Sequence, residues 1–164
     1  MSARGARLRL AEIVQAAGTV SMAVTRADRF AARIGRRPAT RVPLAELLRW
    51  PVWPGLAEDE VERLWRIAAL VAARDALPEM IDGAALRAYA APVGEAALEA
   101  VLDLPAGGTA PLAPAANLAQ QGRQIAERGL PSPLAAAMGL GSAADVDAAG
   151  QVALAEHIAR GTRP

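Results

Sequence analysis

"LAEDEVERLWRIAALVAARDA", residues 56 to 76, decides the fold of this chain. Counting from Val61, the residues Val61, Leu64, Trp65, Ala68, Val71 and Ala72 fall at offsets 0, 3, 4, 7, 10 and 11, so they line one face of a helix. Glu58, Asp59 and Glu60 stand in its first turn, where carboxylates gain from the positive end of the helix dipole. Asp59 with Arg63, and Glu62 with Arg66, are spaced four apart, and such pairs contribute about 0.2–0.5 kcal/mol each on a helix surface. Pro78 stops the helix, because proline offers no N–H to the ladder and its ring clashes with the preceding turn.

Working outward, "IDGAALRAYAAPVGEAALEAVL", residues 81 to 102, reads as two short helices. Asp82 is placed to cap the first and Pro92 to end it, while Gly94 and Glu95 open the second. Leu86, Tyr89, Ala90 and Val93 make one apolar stripe, and Leu98, Val101 and Leu102 make the next. Helices this short do not hold alone, so they need a neighbour, and the 56–76 helix is the expected one. Alanine-rich faces allow close approach of helix axes. Polar/apolar alternation is scarce and only five aromatics occur, so strands are not expected. The expectation is an all-α chain, a compact irregular helical bundle with a three-helix core over about 56–104.

Further helices are expected near residues 7–17, 22–35 and 43–49, with "TRAD" at 25–28 resembling a capping box and Gly35 and Pro38 marking a break. "WPVWP", residues 50–54, cannot be helix interior, because Pro51 and Pro54 bias the tryptophans before them to extended geometry. Pro105, Pro111 and Pro114 with Gly107 and Gly108 give residues 105–116 the composition of a linker. Beyond it a helix is expected around Ala115 to Arg128, and a short one begun by Ser132 and Pro133. A last helix is capped by "SAAD" at 142–145, runs to about Arg160 and stops at Gly161. The expected division is a helical domain over 1–104, the linker, and C-terminal helices over 117–164; whether these share the first core is open at this level.

Composition limits the chemistry. The chain has no cysteine, which excludes disulfides, thiol catalysis and thiolate metal sites within it. All eighteen cations are arginine, so lysine Schiff bases and a P-loop lysine are excluded as well. Charge is uneven: residues 1–49 carry +7, residues 50–105 carry −6, and the remainder balances. The basic opening followed by an apolar run has the outline of a targeting peptide, but Glu12 and Gln15 interrupt the run, so an amphipathic helix and a cytoplasmic protein are expected. The longest stretch without charge, 104–122, holds three prolines, which argues against a membrane span.

The candidate reactive groups reduce to structural ones. His157 falls in the last turn of the final helix, where the dipole favours its charged form and no second histidine or nucleophile stands near in sequence. "GLGSAA", 139–144, follows a helical stretch and not the strand that a dinucleotide turn requires. Glu95 and Glu99 share a helix face, and Asp145 and Asp147 read as a cap and a first-turn charge. No catalytic, cofactor-binding or metal-ligating residue is therefore expected, and the chain reads as no enzyme. Two features suit partners: the basic run Arg33, Arg36, Arg37 and Arg41, and the rings Trp50 and Trp53, which make either a lid on the core or an exposed anchor.

Residues 60–105, "EVERLWRIAALVAARDALPEMIDGAALRAYAAPVGEAALEAVLDLP", resemble the core of the YscK/SctK/OrgA family of bacterial type III secretion accessory proteins. The shared pattern is a leucine-rich helix, a break, then two small-residue helices with an arginine after the "GAAL"-like segment and Gly-Glu opening the last. It falls here on Leu64, Leu70, Ile81, Leu86, Arg87, Val93, Gly94, Glu95 and Leu98. The resemblance implies a non-enzymatic cytosolic adaptor of the sorting platform, linking an SctQ-like pod protein to the SctD-like ring protein and meeting the inner membrane only through such partners. Typical members are longer and have an aromatic-rich N-terminal segment, where this chain offers Phe30 and "WPVWP".

The alternative is a small helical DNA-binding regulator using residues 33–41. The low net charge and the acidic middle section weigh against nucleic acid. The two readings separate on salt: a phosphate contact gives duplex binding that weakens steeply with ionic strength and is lost in an Arg36→Ala/Arg37→Ala double variant, measured by fluorescence anisotropy.

Overall fold

The computed structural model describes residues 3–16, 45, 48–80, 82–140 and 145–161. The helix expected at 22–35, most of the one at 43–49, "TRAD", Gly35, Pro38 and Ser142 lie outside the described residues. Seven α-helices and three single 3-10 turns lie within them, and among them there is no strand: the fold is all-α. In chain order the helices are α1 (Ala3–Ala16), α2 (Glu58–Ala72), α3 (Gly83–Val93), α4 (Glu95–Leu102), α5 (Leu118–Arg128), α6 (Ser132–Ala137) and α7 (Val146–Gly161). The 3-10 turns are Trp53–Gly55, Arg74–Ala76 and Ala115–Asn117.

The α2 helix begins where its carboxylates predict. Glu60 reaches back to accept the N–H of Ala57 at 3.5 Å, half of a capping box, since Ala57 has no side-chain oxygen to complete it. Glu62 and Arg66 form the expected pair at 2.6 Å. The predicted stripe is buried apart from Trp65, which is half-buried, but burial does not stop there: every residue from Ile67 to Ala73 is buried. A helix whose second half is covered on all sides must be central there. It packs most extensively on α5 and next on α7, and less on α3 and α4, so the expected three-helix core gives way to one that the C-terminal helices complete. A single apolar cluster runs from Leu10 and Val14 in α1, through α2, to Ile125 in α5, Leu134 in α6 and Val152 and Ile158 in α7.

Close approach sets the two main crossings. At Gly122 of α5 a Cβ atom would lie only 1.6 Å from the carbonyl oxygen of Trp65, so only glycine lets α5 lie backbone-on-backbone against α2. At Gly55 a Cβ would lie 2.0 Å from the carbonyl oxygen of Ala6, which seats α1 on the turn at Trp53–Gly55.

Asp82 caps α3 as expected, accepting the Ala84 N–H at 2.8 Å. Pro92 does not end it. The helix continues to Val93, because in the last turn proline forfeits a single ladder bond, and Gly94 ends it by adopting φ +94°, a conformation open to glycine at little cost. Arg63 donates to the Val93 carbonyl at 3.0 Å and ties this corner to α2. In α4, Leu98 and Val101 are buried, but Leu102 is 40% exposed and does not complete its expected stripe. Helix α7 likewise includes Gly161 rather than stopping before it.

The Pro/Gly stretch after α4 is bonded to the core along its length. Ala110 donates to Ala72 at 2.9 Å and Asp75 donates to Gly108 at 3.2 Å. Arg74 reaches the Pro105 carbonyl at 2.7 Å, and the Tyr89 hydroxyl donates to Ala113 at 3.0 Å. The Asp75 carboxylate accepts the Gly107 N–H, and the backbone N–H groups of Gly107 and Gly108 hold its carboxyl below the usual aspartate value.

Gly122→Ala overpacks a backbone contact that cannot yield like a side chain, and should cost about 3 kcal/mol or more. Gly83→Ala, whose Cβ would meet only the Arg87 side chain at 3.8 Å, should change stability by less than about 1 kcal/mol. Urea denaturation of both variants checks the contrast.

Candidate functional site

Of the residues that the sequence singles out for partners, Arg33, Arg36, Arg37 and Arg41 lie outside the described residues. Trp50 and Trp53 are 4% and 3% exposed. Both rings belong to the core, which is the lid arrangement; neither is presented as an exposed anchor. Trp53 meets Trp65 edge-to-face, with ring centroids 5.9 Å apart, so "WPVWP" closes over the start of α2.

What holds this lid was not legible in the sequence. Glu156 of α7 is 7% exposed and accepts the backbone N–H of Val52 at 2.6 Å and of Trp53 at 3.0 Å. These donors open the turn Trp53–Gly55, where Pro54 bars an ordinary helical ladder, so a side chain 104 residues away in sequence serves as its cap. Arg160, one turn on, pairs with the other carboxylate oxygen at 3.0 Å. Burial pushes the Glu156 carboxyl above its usual value; the two backbone N–H groups, Arg160 and Arg7 oppose that rise without cancelling it. The available signal was a lone carboxylate inside "QVALAEHIA" with an arginine four residues on, but nothing in one sequence names its acceptor role.

The other candidates stay apart. His157 projects from the exposed face of α7, and Glu95 and Glu99 are exposed on α4. Asp145 caps α7 by accepting the Ala148 N–H at 3.1 Å, while Asp147 is exposed beside it. Gly139 and Leu140 of the glycine pattern follow α6, and the rest of that pattern lies outside the described residues. Among the described residues no group of three or more histidines and carboxylates is placed to hold a metal ion.

Two of the clefts formed by the described residues lie against α5. One, of about 330 Å³, lies between α5 and the start of α7 and is lined by Gln121, Gln124, Gln151, Arg128, Asp145 and Asp147. The other, of about 370 Å³, lies between α2 and α5. Val61, Trp65 and Ala119 give it an apolar floor, and Glu58, Glu62 and Arg123 stand at its rim. Arg123 lies over the Trp65 ring at 5.6 Å and pairs with Glu127 at 2.7 Å, so the ring is fixed from above as well as by Trp53 behind it. Sequence periodicity assigns Val61 and Trp65 to the core face; both also line this cleft, so part of that face stays open.

No family model, no curated protein and no solved structure matches this chain. The α2–α5 cleft combines a large fixed ring, small apolar neighbours and charges of both signs. No helix among the described residues is long and apolar enough to cross a membrane.

Glu156→Ala leaves two backbone N–H groups without their acceptor, at about 1–3 kcal/mol for each that stays buried, whereas Glu156→Gln keeps an acceptor oxygen in place and should cost far less. Because the folded carboxyl sits above the unfolded value, ionising it opposes folding: its stabilising contribution is fully present below the unfolded value and is lost as pH rises through the folded one. The stability of the wild type relative to Glu156→Gln should accordingly fall as pH rises through that window, measured by urea denaturation of both proteins from pH 4 upward.

Proposed function

We propose that this protein is a non-enzymatic adaptor that docks other proteins, and that its place is the cytoplasmic sorting platform of a bacterial type III secretion system. The observation that carries the docking reading is the α2–α5 cleft, with its Trp65 floor and two-signed rim. Glu58 makes no ion pair with any described residue, so the rim favours a partner segment that brings an apolar side chain flanked by a basic one. The secretion assignment rests on the resemblance of residues 60–105. What supports it is that this stretch folds as one long helix followed by two short ones joined at Gly94, with Leu64, Leu70, Val93 and Leu98 all buried. In this reading the adaptor joins an SctQ-like pod protein to an SctD-like ring protein.

Co-purification with the SctQ-like and SctD-like proteins of the same organism tests both parts. The wild type should retain at least one of them. Ala119→Arg, which fills the cleft from its half-buried α5 side, should weaken that retention about tenfold or more while circular dichroism stays unchanged. Recovery of neither partner by the wild type overturns the secretion assignment, and retention unaffected by Ala119→Arg overturns the cleft.

A further inference from the structure

Helix α7 carries apolar side chains on its outer side as well as on its inner one. Inward it buries Ala148, Val152, Ala155 and Ile158, and outward it presents Val146 at 83% exposure and Leu154 at 38%. Gly150, Ala153 and His157 are exposed beside them. The same face carries Asp147 and His157, one near each end of the helix. Along this face Asp147, Gly150, Leu154, His157 and Gly161 are spaced by three, four, three and four residues, the spacing of the seam of a two-stranded coiled coil over a helix about 24 Å long.

We infer that this face of α7 is a self-association surface, whose occupant is α7 of a second copy of the same chain, packed antiparallel about a two-fold axis at the level of Val152. The seam is complementary to itself. In that register Leu154 of each copy lies opposite Gly150 of the other, a large side chain over a bare backbone. Asp147 of each lies opposite His157 of the other, so that an acid meets the histidine twice. The side chains of Asp147 and His157 make no hydrogen bond or ion pair with any described residue of their own chain, and Asp147 stands where the seam borders the α5–α7 cleft. A parallel pair would instead set Asp147 against its own copy and glycine against glycine, combining repulsion with a gap. Both halves of every contact stand on one helix, which is what a two-fold interface requires and what a different partner would have no reason to match.

The test uses the full chain. A Cβ at Gly150 meets nothing within 4 Å, so Gly150→Arg leaves the monomer undisturbed and obstructs only the seam. In sedimentation velocity from micromolar to hundreds of micromolar, the wild type should shift from monomer toward dimer while Gly150→Arg, folded by circular dichroism, stays monomeric. A wild type monomeric at the highest concentration overturns the proposal, and so does a Gly150→Arg variant that dimerises equally tightly. The register is read separately, because the chain has no cysteine of its own. An equimolar mixture of Gly150→Cys and Leu154→Cys chains should form disulfide-linked dimers several-fold faster than either alone; a mixture no faster than the single variants overturns the antiparallel register.

Discussion

A helix whose C-terminal half has no free face imposes the architecture of this protein. From Ile67 to Ala73 every side chain of α2 and its C-terminus is buried, so neighbours must be found in all directions around it. The two short helices α3 and α4 are too small to supply them, and α5 and α7 close the remaining sides. Backbone contact at Gly122 makes this closure tight, and the bonded stretch between Pro105 and Ala113 brings α5 into position. Residues far apart in sequence thus belong to a single hydrophobic cluster.

Much of this was legible in advance, and the failures share a cause. The stripe at Val61, Leu64, Ala68, Val71 and Ala72, the carboxylates of the first turn and the cap at Asp82 are local features, and local physics placed them. Ile67, Ala69 and Leu70 were missed because periodicity assumes one wet face; the sign of the opposite case was the uncharged run from Ile67 to Ala73. Residues 105–116 have the composition of a linker, and composition cannot reveal that Ala110, Gly107 and Pro105 each find a partner at the end of α2. Pro92 reads as a stop because proline is costly in a helix interior, yet in the last turn only Val93 follows it in the helix.

The candidate site was less legible than the fold. Trp50 and Trp53 stand out as a pair in the sequence, but whether rings form a lid or an anchor depends on what lies beneath them, and that is set by Trp65 and by Glu156. Burying Glu156 is unfavourable in itself; the geometry resolves the conflict by giving it two N–H donors that have no other acceptor and an arginine at the solvent side. The α2–α5 cleft was invisible because its lining comes from two segments more than fifty residues apart, neither of which is distinctive alone.

The contact between Glu156 and Val52 spans almost two thirds of the chain, and this bears on the order of events during synthesis. The tryptophan-rich turn leaves the ribosome long before the carboxylate that secures it has been made. Until translation reaches α7, the nascent polypeptide has an unsealed aromatic segment and a central helix that still lacks a neighbour. Final closure therefore belongs to a late, non-local step whose loop-closure entropy slows it relative to helix formation. In that interval the growing chain is at its most vulnerable to chaperone capture and to aggregation.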